Sequence, residues 1–171
     1  MLKRLFLVFA FCCAYAGIGR AQVPDTTISE SASLFQDMVD GKKELYHIGI
    51  RKYGIDIRCD DLFVKDDVLF LRITVKNDSA ISYHLSTPFF AVESVRRPRR
   101  GLQYEKAISP KKVFGLGTVM PGVERRMVFA LDKLALLRGQ VLKVYFYEKG
   151  GGRNFTLTFS QKDVNGVRRL E

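Results

Sequence analysis

The sequence predicts an all-β fold, an immunoglobulin-like β-sandwich preceded by a short N-terminal helix. Three observations predict it. Downstream of Ile48, apolar residues recur at every second position in short runs. Turn signals separate the runs at close spacing: Lys65-Asp66-Asp67, Asn77-Asp78-Ser79, Pro121-Gly122 and Gly150-Gly151-Gly152. No helical stretch lies between them, so sheet must pack on sheet to bury the apolar faces.

The elements follow in chain order. Lys3 and Arg4 precede an uncharged apolar run from Leu5 to Ala16, and Gly19-Arg20-Ala21 places small residues before a cut that leaves Gln22 first. The run falls short of the roughly 20 residues that span a bilayer. Residues 1–21 therefore read as an export signal, with an uncleaved membrane anchor as the alternative. Cys12 and Cys13 leave with it, and Cys59 stays alone, so no intramolecular disulfide forms. Alternation sets Cys59 opposite Asp56 and Arg58, as a small buried apolar residue.

Residues 22–47 read as a polar tether carrying a short amphipathic helix. Thr27-Ile28-Ser29-Glu30 has capping-box spacing, Leu34, Phe35, Met38 and Val39 recur at helical spacing, and Gly41 is a stop. So narrow an apolar face needs a surface to dock on. That surface is either the chain's own domain or a partner, and Phe35 and Met38 are the candidate partner contacts.

Residues 48–171 read as the β domain. The expected strands are Tyr53–Cys59, Asp61–Lys65, Val68–Lys76, Ser82–Leu85, Phe89–Val95, Leu102–Ile108, Val113–Val119, Arg125–Leu131, Val141–Tyr147 and Asn154–Phe159. The run from Val68 to Val75 is the strongest, with Leu69, Leu71, Ile73 and Val75 on one face. Asp66-Asp67 is a tight hairpin turn without the usual Gly.

Residues that carry chemistry are sparse. His47 and His84 are far apart, and with Cys59 they make no local metal set. No nucleophile-elbow pattern occurs. Asp60-Asp61 and Asp66-Asp67 are neighbours, not carboxylates across a cleft, and read as a turn or a solvated edge. Gly150-Gly151-Gly152-Arg153 lacks the Lys-Ser/Thr of a phosphate loop and reads as a flexible turn between strands. The expectation is therefore no enzyme, no cofactor, no metal and no small-molecule substrate.

The net charge of +10 falls to +7 when Lys3, Arg4 and Arg20 leave with the signal. Such a surplus favours acidic partners, anionic lipid or nucleic acid. Arg96-Arg97-Pro98-Arg99-Arg100 concentrates it in one exposed loop. Arg96, Arg97, Arg99 and Arg100 are either a solvated loop that keeps a strand edge from aggregating or candidate docking residues for carboxylates or phosphates. Without interleaved aromatics to stack bases, a protein partner is favoured over DNA, and any DNA binding is expected to be non-specific.

Three segments carry a family resemblance. Tyr53 to Arg72, Arg99 to Glu105, and Tyr145 to Asn154 are similar, in order and spacing, to the C-terminal domain of the TraN conjugative transfer proteins of Bacteroides-type conjugative transposons. The resemblance spans about Ile48 to Asn165 and includes the turn Gly150, Gly151, Gly152 and Arg153. It implies a β-sandwich like that of outer-membrane core subunits of type IV secretion systems. It also implies an exported, periplasmic or outer-membrane-associated location, other transfer-apparatus proteins as partners, membrane association through the complex, and no enzymatic activity. Family members carry a further N-terminal β domain, and residues 22–47 hold no counterpart, so a short paralogue, decoy or regulator is expected. The other functions in view are a free-standing periplasmic binding or adhesion module and a weak DNA-contacting protein.

Overall fold

The computed structural model describes residues 45–95 and 105–169. Alternating apolar residues in these segments form β1 (Gly49–Lys52), β2 (Ile55–Lys65), β3 (Val68–Asn77), β4 (Tyr83–His84), β5 (Phe89–Ser94), β6 (Glu105–Ile108), β7 (Lys112–Phe114), β8 (Thr118–Val119), β9 (Glu124–Asp132), β10 (Gln140–Phe146), β11 (Phe155–Phe159) and β12 (Arg168–Arg169). One helix, α1 (Gln161–Asn165), sits between β11 and β12.

Two sheets face each other. The larger runs β1-β2-β3-β9-β7, with β12 pairing parallel to β2; the smaller runs β11-β10-β5-β6. With β2, β3, β5, β6, β7, β9, β10 and β11 taken as A, B, C, C′, D, E, F and G, the orders are A-B-E-D and G-F-C-C′. That is the immunoglobulin-type arrangement, as expected. The strands β4 and β8 form a separate two-stranded ribbon.

The core lies between the sheets. Leu69, Leu71, Ile73 and Val75 of β3 point into it, with Met127, Phe129 and Leu131 of β9 alongside. Phe90, Val92, Leu142, Val144, Phe146, Leu157 and Phe159 meet them from the other sheet. Phe90 and Phe129 bridge the two layers with ring centroids 5.4 Å apart. Each such fully buried side chain contributes about 1.5–3 kcal/mol, so the sandwich coheres without a covalent pin.

Several expectations need correction. Tyr53–Cys59 and Asp61–Lys65 are one strand, β2, whose register against β3 shifts between Cys59 and Asp61. This bulge inserts Asp60 without ending the strand. Asp60 and Asp61 are therefore not a solvated edge but buried. Asp60 accepts from the Thr74 hydroxyl, and Asp61 from the Leu62 N–H (2.9 Å) and the Arg168 guanidinium, with Arg72 3.8 Å away.

Tyr53 starts no strand. Tyr53 and Gly54 have φ of 54° and 73° and make the turn from β1, an unforeseen strand, into β2. Val113–Val119 divides into β7 and β8 because Gly115 (φ 71°) breaks it, where a Cβ would lie 2.3 Å from the Arg126 carbonyl oxygen. Helix α1 was also unforeseen. Its Ser160 caps the Asp163 N–H while the Asp163 carboxylate accepts from the Ser160 N–H, a reciprocal capping box. The Asp66-Asp67 hairpin stands as read: both residues adopt left-handed φ (50° and 59°), which Asp tolerates.

Candidate functional site

At one end of the sandwich, three loops converge on an open cleft of about 510 Å³. They are the β1–β2 turn at Tyr53, the β3–β4 loop through Ser79–Ser82, and the β10–β11 turn from Glu148 to Arg153.

The β3–β4 loop takes its shape from Asn77, whose side chain is fully buried. Its amide donates to the Ile81 and Val119 carbonyls (2.8 and 2.9 Å), and its oxygen accepts from the Ser79 N–H and hydroxyl (3.0 and 2.6 Å). Asn77 thus spends its polar capacity on the chain itself. Beside it, the exposed Asp78 carboxyl is held below its usual range by Lys76, with Arg51 also near.

The β10–β11 turn is closed by one ion pair, whose guanidinium also ties it to that loop. The Glu148 carboxylate accepts from Arg153 Nε (3.0 Å), from Arg153 Nη2 and from the Arg153 main-chain N–H (3.0 Å). The rest of the guanidinium reaches the other loop, with Nη1 donating to Ser79 Oγ (3.1 Å) and Nη2 to the Ser82 carbonyl (2.8 Å). Its Cζ lies over the Tyr83 ring, 5.3 Å from the centroid, and the Tyr83 hydroxyl donates to the Arg153 carbonyl (3.2 Å).

The electrostatics follow from these contacts. Hydrogen bonds from Arg153 outweigh burial and hold the Glu148 carboxyl below its ordinary range; in return Glu148 raises Arg153. Burial, reinforced by the Glu148 charge, pushes the Tyr83 hydroxyl up, so it remains a donor.

The glycines of the turn have separate reasons. Gly150 adopts φ 72°, where a side chain would strain the backbone. Gly151 has no such angle, but a Cβ there would sit 2.1 Å from Glu148 Oε2. The turn between two strands stands as read, but it is held by the Glu148–Arg153 pair. Gly150, Gly151, Gly152 and Arg153 lie in this turn between β10 and β11. The sequence marks Asn77 and Ser79 only as a turn signal and gives Glu148 no role; the available signal was an acid and an Arg on either side of one glycine turn.

The cleft rim combines apolar and basic groups. Tyr53 and Ile81 are exposed beside Lys149 and His84, and Lys52 lies 4.6 Å over the Tyr53 ring. His84 Nδ1 is 3.0 Å from Thr118 Oγ1, and distant His47 pairs with Asp163 (2.9 Å). Among the described residues no three His, Cys, Asp or Glu side chains group as metal ligands. Cys59 is buried, its thiol donates to the Asp61 carbonyl (3.3 Å), and burial pushes its pKa up.

Phe35, Met38, Arg96, Arg97, Arg99 and Arg100 lie outside the described residues. Among the described residues, no helix is long and apolar enough to cross a membrane.

Compared with known proteins, residues 29–169 match the model of a family described as a domain of unknown function (DUF4138). No curated protein matches the chain. Among solved structures, the chain is similar to the archaellum periplasmic stator protein FlaG from Sulfolobus acidocaldarius. The likeness has 10% identity and a TM-score of 0.37, and covers 61% of this chain and 99% of that one.

Proposed function

The chain belongs to the DUF4138 family, and we propose that it is an exported, non-enzymatic structural subunit of a cell-envelope conjugative DNA transfer apparatus. One observation carries the non-enzymatic part of this reading. The side chains best suited to chemistry are engaged in holding the fold. Glu148 is spent on Arg153, Asp61 on Arg168 and Leu62, and Glu93 on Lys143 (2.7 Å) and Tyr145. The Cys59 thiol is sealed in the core. A domain built this way suits a scaffold that presents surfaces.

The conjugation part rests on the resemblance of Tyr53–Arg72, Arg99–Glu105 and Tyr145–Asn154 to the TraN domain. Export rests on residues 1–21. The partners are other transfer-apparatus proteins, and the Arg96–Arg100 loop is the electrostatic contact, steering encounter more than setting residence time. Membrane association comes through that complex.

The cleft favours a second reading, a free-standing periplasmic binding module, because its rim exposes Tyr53 and Ile81 beside Lys149. Deleting the gene from a conjugation-competent donor separates the two. A subunit is expected to lower transfer frequency at least about tenfold, with recovery on complementation, and to co-purify with envelope transfer proteins. Unchanged transfer, with the chain fractionating alone at low salt, would refute the subunit reading. Replacing Arg96, Arg97, Arg99 and Arg100 with Ala should weaken co-purification most at low ionic strength.

A further inference from the structure

We infer that the outer face of the six-stranded sheet is an internal docking surface, covered by this chain's own residues 29–44 as a third layer. The sequence pattern alone suits Phe35 and Met38 equally to a partner; the sheet argues for the intramolecular site.

The register fixes which side chains point away from the core. Phe63 faces Phe70, which faces Ala130; Asp61 faces Arg72, which faces Val128. These two rows cross β2, β3 and β9, and Phe114 of β7 extends the second. In a two-layer sandwich such a face is wet. Here Phe63, Val128 and Ala130 are 1%, 0% and 2% exposed. On the opposite outer face Phe89 is 39% exposed, and the buried outward residues of β5 there are the small Ala91 and the hydrogen-bonded Glu93, not an aromatic and aliphatic cluster. Phe63 and Phe70 stack at 5.3 Å, and Phe63, Phe70, Val128 and Ala130 form an apolar cluster separate from the main core. Arg168 reaches over Phe63 at 5.7 Å from the strand edge, which leaves the centre at Val128 to be covered by something else.

Several observations point to residues 29–44 as that cover. The chain enters the described fold beside this face, where the Leu45 N–H donates to the Asp60 carbonyl (2.9 Å) at the bulge. The family match begins at residue 29, so the family's domain includes this segment. Sixteen residues as a helix reach about 24 Å, and four strands span roughly 15 Å, so the segment can cross the sheet. Leu34, Phe35, Met38 and Val39 supply an apolar stripe to meet Phe70, Val128 and Ala130. Asp37 and Asp40 supply charge opposite to that of Arg72, Arg126 and Lys112, which the register places on this face.

The test uses the full chain. Phe35→Ser with Met38→Ser should lower Tm by on the order of 10 °C and raise binding of a hydrophobic dye, while Gln36→Ser changes neither. Should the double variant fail to fold, a thermodynamic cycle replaces it: Met38→Ala and Phe70→Ala, singly and together. Residues in contact give a combined loss smaller than the sum, whereas strict additivity overturns the inference. An unchanged Tm in the double variant also overturns it and returns Phe35 and Met38 to a partner. So does a wild-type dimer in sedimentation that Phe70→Ala dissociates, because a second copy would then be the cover.

Discussion

Replacing Glu148 with Gln should unlock the cleft end of the sandwich. The carboxylate serves Arg153 Nε, Nη2 and main-chain N–H, and the two side chains are 8% and 18% exposed. Breaking a buried pair from one side costs about 3–5 kcal/mol. Arg153 retains some solvent and keeps Ser79 and Ser82 as partners, so a loss of roughly 2–4 kcal/mol follows. In a chain of this size that lowers Tm by about 6–12 °C. The assay is thermal unfolding followed by circular dichroism across pH. Because Glu148 titrates below its ordinary 4.5 when folded, its contribution is complete above about 4.5 and fades as pH falls through the lower folded value. The gap between wild type and Glu148→Gln should therefore be widest at neutral pH and close in acid. A gap under about 2 °C at pH 7, or one that persists undiminished in acid, would refute the clamp.

Gly151→Ala should cost about as much as Glu148→Gln, since its Cβ would meet Glu148 Oε2 at 2.1 Å, and the two changes together should not add. Gly152→Ala, with open space at that position, should leave Tm nearly unchanged. The Cys59 thiol should ignore an aromatic disulfide reagent in the native protein and react fully in denaturant, because burial both shields it and raises its pKa; rapid native reaction would contradict the packing described for β2.

Most of the sheet framework was legible because a period of two in the sequence is a direct image of a half-buried strand. The run from Val68 to Val75 shows the pattern at full strength, and β3 appears where it was expected. The failures have a physical pattern. A bulge changes the period without a turn residue, so Asp60 and Asp61 resembled a break rather than the middle of β2. Two-residue and four-residue strands such as β12 and β1 carry too few alternations to register. The five-residue helix α1 announced itself only through Ser160 and Asp163, a capping box with little helix behind it. The turn at Gly150–Gly152 was visible, but its clamp was not. Glu148 and Arg153 are matched in charge, yet nothing in their spacing says that the guanidinium also reaches Ser79 and Ser82, more than seventy positions upstream.

That reach gives the clamp its architectural meaning. Immunoglobulin-type domains of the antibody kind pin their two sheets with a disulfide between B and F. The strands in those places here, β3 and β10, carry no cysteine, and Cys59 lies on β2. Arg153 instead joins the turn after β10 to the loop that leaves β3, so one guanidinium crosses from one sheet's connection to the other's. A disulfide constrains the unfolded chain and answers to redox conditions. The Glu148–Arg153 pair leaves the unfolded chain free and answers to pH, and its dependence on Ser79 geometry couples the cleft's two walls. Any change that moves the β3–β4 loop must therefore disturb the β10–β11 turn. A partner seated in the cleft would meet a surface already fixed in shape, the condition under which a scaffold binds without a large ordering cost.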